Sequence, residues 1–277
     1  MSLPKEKVVL TQEEETLLIP LYAKAVGSRG PSPIFDDAKA QEILSRVEYD
    51  FARLNVPRKT AITLCLRAAK LDAYTNEFLA QNAGGLVIHL ACGLDSRCVR
   101  VRHEGAEWVD LDLPKVIELR RKFYPEGPGY RLIASSVTDH AWMDSVPATG
   151  RRVLIVAEGL LMYLSETEVR ALVLRLQECY PGCELVCDVF SELTARRIAA
   201  HPSLQKTGAV VQWGIDEARD IERWGQGIQL REEWFFSQSE AVSKLGLGYR
   251  LAFQLAGLFA AANKAHRIVR LVLAPAR

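Results

Sequence analysis

No stretch of this 277-residue chain approaches the ~18 consecutive apolar residues of a membrane-spanning helix. The nearest run, Leu251 to Ala262, is interrupted by Gln254 and Gly257, so no membrane segment is expected. The opening MSLPKEKVVLTQEEE lacks the apolar centre of a secretory leader, and the expected location is cytoplasmic. An excess of one charge sign is missing too. With 35 Lys and Arg against 34 Asp and Glu, the chain has no basic surplus of the kind that nucleic-acid binding normally requires. Cysteine occurs six times (Cys65, Cys92, Cys98, Cys179, Cys183, Cys187), but no CxxC pair and no histidine at zinc spacing accompanies it. The thiols read as reduced core residues, and no metal is expected. Repeats and low-complexity tracts are also absent. What remains is an ordinary globular composition, 49% hydrophobic and 25% charged, in a chain long enough for one large α/β domain or two smaller ones.

The chain changes character near residue 84. Before it the pattern is helical. Thr11 with the following acidic residues opens a helix to about Val26. Residues 27–33 form a Gly/Pro loop, and Asp36 or Asp37 caps a short helix through Ile43 and Val47. A longer helix runs from about Thr60 to Ala83, with Ile62, Leu66, Ala69 and Ala73 on one face, and Gly84-Gly85 stops it. From Leu86 onward short apolar runs alternate with amphipathic helices: 86–91, 107–112, 130–134, 152–157 and 183–189 read as strands. Ser165 and Glu168 form a capping box for the helix to Cys179. Such alternation implies βαβ units and a mainly parallel sheet. Residues 191–247 read as helical and aromatic, and 249–255 with 268–273 as a terminal strand pair.

In an open α/β sheet, ligands bind beyond the carboxyl ends of the strands. The first strand is followed by Ala91, Cys92 and Gly93, with only one of the three glycines that a dinucleotide turn needs. A Walker A loop is also missing, so the turn is not built for phosphates. The second strand ends in Asp110-Leu-Asp112, about 20 residues further on, where an acid can accept both hydroxyls of a ribose. A nucleoside without phosphates fits both features, and an ordinary turn remains the competing reading of the pattern.

HLACGLDSR, VDLDLPKV and AEGLLMYL, taken with PIFDDAKAQEIL, LRAAKLDAYTNEFL and WGIDEARDIERWGQGIQLREEW, extend over most of the chain. Together they resemble the leucine carboxyl methyltransferase family, in its bacterial polyketide O-methyltransferase branch. The resemblance implies a class I S-adenosylmethionine-dependent methyltransferase fold: a Rossmann-like, mainly parallel seven-stranded sheet with helices on both faces. It also implies one catalytic domain, with a helical cap over residues 1–84, a cofactor-binding core over 85–190, an insert over 191–247 and the terminal strand pair over 248–277.

The implied cofactor contacts follow residue by residue. Arg67 on the long helix matches the arginine that grips the methionine carboxylate, and Lys24 the N-terminal lysine. Ala91 and Gly93 match the glycine-rich turn, with Ala91 standing where many members have glycine, a methyl that narrows the approach. Asp112 matches the ribose acid, with Asp110 supporting the loop and Asp95 pairing locally with Arg97. Ser136 and Val137, beside Ser135, match the adenine segment, with Asp139 as a helix cap or substitute. Glu158 matches the acid facing the methionine ammonium. Tyr163 and Trp213 are the candidate acceptor contacts.

A carboxylate acceptor is already ionised at neutral pH, whereas a phenol with a pKa near ~10 benefits from a general base. None of His89, His103, His140, His201 and His266 stands in a motif, so no catalytic base is assigned. This favours a carboxylate or an already acidic hydroxyl. Trp213, Trp224, Trp234, Phe235 and Phe236 give the insert the density of aromatics that suits a flat, polyketide-like small molecule. The competing expectations are a protein C-terminal carboxyl methyltransferase and a non-catalytic S-adenosylmethionine-binding module; the missing glycines argue against a nicotinamide oxidoreductase.

Overall fold

The fold is given by a computed structural model that describes residues 6–7, 14–29, 33–101, 105–199 and 209–276. Three helices precede the main sheet: α1 (Leu18–Gly27), α2 (Ala38–Arg46) and α3 (Arg58–Gln81). Asp37 caps α2 by accepting from the Ala40 amide at 2.9 Å, as an acid before an apolar-periodic run should. The cap expected at Thr11 lies outside the described residues. At the end of α3, Gly84 has φ 72°, and a Cβ on Gly85 would come within 2.9 Å of the Phe78 ring. The turn into the sheet therefore needs both glycines.

Strands and helices then alternate: β1 (Leu86–Leu90), α4 (Arg97–Arg100), β2 (Glu107–Asp112), α5 (Pro114–Arg121), β3 (Tyr130–Ala134) and β4 (Val153–Ala157). These are followed by α6 (Glu166–Cys179), β5 (Cys183–Phe190), α7 (Glu192–Ala199), β6 (Ile228–Phe235), α8 (Leu247–Leu258), α9 (Ala260–Asn263) and β7 (His266–Leu273). The seven strands lie in the order β3-β2-β1-β4-β5-β7-β6. β1 to β5 pair in parallel, and β7 is antiparallel to both β5 and β6. The capping box of α6 is present, with Ser165 and Glu168 each bonding the other's backbone amide.

The expected terminal strand pair is corrected in one half. Ile268–Leu273 lies in β7, but residues 249–255 belong to α8. The missing strand is β6, inside the stretch read as helical. A bulge between Leu230 and Glu232 shifts its register and breaks the two-residue alternation that marks a strand. In α8 the opposite error arises. Tyr249, Leu251, Phe253 and Leu255 alternate like a strand because this helix is apolar on two sides. Leu247, Leu251, Leu255 and Leu258 are exposed, while Tyr249, Ala252, Phe253 and Ala256 line the cleft described below.

Alternation along β1 divides the core into two layers. Leu86, Ile88 and Leu90 face one side with α6, Trp142 and Trp213. Val87 faces the other, with Leu18 of α1, Ile43 of α2 and Leu66, Leu71 and Phe78 of α3. The N-terminal helices thus share the core of one sheet face, and this brings α1 and α3 over the carboxyl ends of β1, β4 and β5. Trp213 is 6% exposed and packs against Trp224 with ring centroids 6.1 Å apart. Trp213→Ala should lower the unfolding free energy by about 3–5 kcal/mol, the usual result of emptying a buried aromatic site. Urea denaturation of the two proteins measures this difference.

Candidate active site at the sheet switch point

β1 has β2 on one side and β4 on the other, so the chain leaves these strand ends in opposite directions and a crevice opens between them. A cleft of about 1110 Å³ lies there, larger than the roughly 300–1,000 Å³ usual for a single small ligand. Its floor is charged. Its far wall, from Phe190, Phe236, Tyr249 and Phe253, is largely apolar.

The turn after β1 forms the near wall. Ala91 has φ 49° and Gly93 φ 51°, both left-handed. For an alanine this conformation costs about 1–2 kcal/mol, so the departure from glycine at Ala91 appears as backbone strain held by the surrounding structure. The Gly93 and Leu113 amides each donate to the Asp112 carboxylate at 2.7 Å. Burial outweighs these two bonds and lifts the pKa of Asp112 above the usual carboxylate value. Asp110 sits below, buried with Arg120, which also donates to the Gly93 carbonyl at 2.9 Å. It thereby supports the turn, as expected.

Glu158, just beyond β4, gathers three cations from three parts of the chain. Arg67 of α3 donates through Nε and Nη2 to Oε1 at 3.2 and 3.1 Å, Lys24 of α1 lies 3.1 Å from the same oxygen, and Arg97 bonds Oε2. Burial opposes ionisation of Glu158, but Lys24, Arg67 and Arg97 outweigh it and hold the group well below the ordinary carboxylate range. Its Oε1 is filled by Arg67 and Lys24 while Oε2 holds Arg97 alone, so in this structure it anchors cations. Asp188 of β5 completes the arrangement: Oδ2 takes Arg67 Nη1 at 2.9 Å, and Oδ1 takes the Gly159 amide at 2.6 Å. Arg67 spends three of its five N–H groups on these carboxylates. One remains on each terminal nitrogen, a pair suited to a bidentate grip on a ligand carboxylate.

A second layer ties the helices to the sheet. Lys24 also pairs with Asp95. The Asp95 carboxylate accepts the Arg97 amide at 2.6 Å, which fixes the turn, but the Arg97 guanidinium extends away to Asp72 and Glu158. Arg100 joins Asp37, Asp72 and Asp95. His89 is buried between Arg97 and Asp110.

Lys24, Arg67, Ala91, Gly93, Asp112, Glu158 and Tyr163 are thus brought together around the cleft, where burial raises the pKa of Tyr163. Ser136 and Val137 are not among its lining residues. Ser136 bonds Thr138 at 2.8 Å and Val137 is buried in the core, while Leu113 and Val116 line that side of the cleft. Asp139 caps the turn at His140–Ser145, and His140 stays away from the cleft. Trp213 is a core residue behind the cleft and does not line it. His103 and His201 lie outside the described residues. Sequence reasoning missed the ion-pair roles of Asp37, Asp72, Arg100 and Asp188, the last of which also pairs with His266. The one available signal was an acid at a strand's carboxyl end, which marks Asp188 as it marks Asp112. Among the described residues there is no cluster able to hold a metal ion and no helix long and apolar enough to cross a membrane.

Glu158→Gln leaves three buried cations short of an anion and should destabilise the fold by about 3–5 kcal/mol, measured by denaturant unfolding. Because Glu158 and Asp188 titrate below their unfolded values, their stabilising contribution is complete above the unfolded carboxylate range. It is lost as the pH falls through the lower folded values. The melting temperature of the parent protein should therefore drop below about pH 4, and that of Glu158→Gln less steeply. Gly159 has φ 66°, and a Cβ there would lie 3.2 Å from both terminal nitrogens of Arg67. Gly159→Ala should displace the guanidinium and weaken ligand binding about ten-fold or more, on the order of one charge-assisted hydrogen bond, as read by calorimetry.

Comparison with known proteins identifies the family and the fold. The leucine carboxyl methyltransferase family profile matches residues 18–177. The tetracenomycin polyketide synthesis O-methyltransferase of Streptomyces glaucescens is 39% identical over 273 residues, covering 96% of this chain and 98% of the relative. An S-adenosyl-L-methionine-dependent methyltransferase of Gibberella zeae is 34% identical over 255 residues, covering 84% and 86%. Among solved structures, a DUF574-family protein of Streptomyces avermitilis superposes with a TM-score of 0.58 at 13% identity, covering 95% of this chain and 98% of that one. A candidate methyltransferase of Thermobifida fusca superposes with a TM-score of 0.54 at 17% identity, covering 92% and 94%. With its seven-stranded class I methyltransferase architecture, the chain belongs to the leucine carboxyl methyltransferase family.

Proposed function

We propose that the protein is an S-adenosylmethionine-dependent O-methyltransferase that binds its cofactor over the charged floor of the cleft and a small-molecule acceptor against the apolar wall. The observation that carries this reading is the charge arrangement of the floor. Lys24, Arg67, Asp37, Asp95 and Glu158 line the floor, and Arg97, Arg100, Asp72 and Asp188 pack behind them, so carboxylates outnumber cations in the network as a whole. S-adenosylmethionine carries a sulfonium, an ammonium and one carboxylate, and its net positive charge complements that excess. The two spare N–H groups of Arg67 suit its carboxylate, and Asp112 suits its ribose. The turn at Ala91–Gly93 lacks the glycines of a pyrophosphate cradle, which suits a nucleoside without phosphates.

The bound cofactor supplies an activated methyl group, so the protein's work is to position the acceptor and exclude water. α1, α3 and α8 cover the cleft for this purpose, and Tyr163 stands on the acceptor side. The apolar aromatics of the far wall favour a flat, polyketide-like molecule, in keeping with the naming of the Streptomyces glaucescens relative. The reaction is expected to place labelled methyl on a small molecule and not on a protein band.

Calorimetry should detect binding of S-adenosylmethionine and none of NAD. Arg67→Ala and Asp112→Ala should each weaken that binding ten-fold or more, in line with the ~1.5–3 kcal/mol of a charge-assisted hydrogen bond. Unchanged affinity in both variants would show that the cofactor lies elsewhere.

A further inference from the structure

We infer that the outer face of α8 is a docking surface for an anionic lipid surface, on which the helix lies flat with its leucines in the apolar layer.

Among the described residues, nine large hydrophobic side chains are exposed, and five of them are Leu247, Leu251, Leu255, Leu258 and Phe259. The other four are scattered over separate elements, as single exposed apolar residues on a soluble protein usually are. The leucines recur at intervals of four, four and three residues, so they form one stripe along α8. They are between 49% and 76% exposed. Tyr249, Ala252, Phe253 and Ala256 face the other way and line the cleft. The leucine stripe is therefore not the face that holds α8 to the body of the protein. A continuous apolar face of this kind marks an interaction site.

Charge selects the occupant. Arg250 is the only charged residue between Lys244 and Lys264, and no acid follows Glu240 in the chain. The later cations are neutralised: Lys264 pairs with Glu217, Arg267 with Glu233, and Arg270 with Glu77 and Glu184. Those beside α8 are not. Among the described residues Lys244 and Arg250 pair with no carboxylate. Nor does Arg58, which stacks over the Tyr249 ring of α8 at 5.6 Å, or the next residue, Lys59, at the cleft. An exposed apolar stripe flanked by unpaired cations matches an apolar layer under anionic headgroups. A second copy would bring more cations to this face and no acid. The leucines also stand out as a ridge and not as a groove. A protein partner would have to supply a fitted groove, whereas a lipid surface takes a convex ridge as it is.

The helix is 12 residues long, or about 18 Å, too short to cross a bilayer and long enough to lie along its surface. Because its inner face lines the cleft, docking sets the cleft one helix diameter, about 10 Å, from the lipid. On the methyltransferase reading, this places the apolar acceptor wall beside a phase in which apolar molecules concentrate. The docking surface itself does not depend on that reading.

The test is flotation of the full-length protein with vesicles of phosphatidylcholine, with and without phosphatidylglycerol. The parent should float with the anionic vesicles, less so as salt is raised, and hardly at all with the neutral ones. Leu251→Ser combined with Leu255→Ser should weaken binding about ten-fold or more, with the melting temperature unchanged. Lys244→Gln combined with Arg250→Gln should weaken it about ten-fold or more and flatten the salt dependence. No flotation of the parent with anionic vesicles, or equal flotation with neutral ones, would overturn the inference. So would a dimer in sedimentation equilibrium that the leucine variant abolishes, since the face would then belong to a second copy. A lowered melting temperature in the leucine variant would show that these side chains are packed, and would overturn it too. Vesicle binding by a protein that fails to bind S-adenosylmethionine would bring down the methyltransferase reading and leave this surface standing.

Discussion

The carboxylate of Glu158 is the point on which the cleft depends. It draws Lys24 from α1, Arg67 from α3 and Arg97 from the start of α4 onto two oxygens at the end of β4. Taking an ion out of water costs several kcal/mol, so none of these groups is stable in the interior alone. Asp95, Asp72 and Asp188 are needed to complete the set, and each sits on a different element. The network is therefore a condition on assembly: the N-terminal helices must dock on the sheet for its charges to be matched. Docking in turn brings α1 and α3 over the strand ends and makes the cleft.

The same arrangement explains where backbone strain is tolerated. Ala91 stays left-handed because the turn after β1 is held from both ends. Asp112 takes the Gly93 amide, and Arg120 takes the Gly93 carbonyl from its seat on Asp110. Gly159 is left-handed for a different reason: its lack of a side chain lets the chain pass close to Arg67 while its amide fixes Asp188. Polar groups in this floor are thus positioned by one another, and the apolar wall opposite is left to shape the second half of the cleft. Asp188 is the group common to both halves.

Much of the fold was legible because its signals are local. The alternation of Leu86–Leu90, the Ser165–Glu168 box and the pair Gly84-Gly85 each act within a few residues. Asp112 and Glu158 were legible as candidate site residues because an acid at a strand end is costly to bury unless a partner or a ligand meets it, and Arg67 was legible only through the family resemblance. β6 and α8 were not legible. A bulge erased the period of one, and apolar residues on two faces blurred the period of the other. Trp213 was drawn into the site by its chemistry, since an aromatic ring looks the same in a core and in a pocket. Whether it faces the cleft depends on the packing of residues distant in sequence.

The amino-acid sequence by itself determined the parallel α/β order, the absence of a phosphate cradle and the identities of the principal charges, because these follow from short-range patterns and side-chain chemistry. Only the tertiary structure decided what each charge meets. Arg67 and Asp188 are 121 residues apart, and Asp188 and His266 are 78 apart. No local rule links them. They meet because β7 runs antiparallel beside β5, and that pairing places His266 against the carboxyl end of a strand whose acid already holds Arg67.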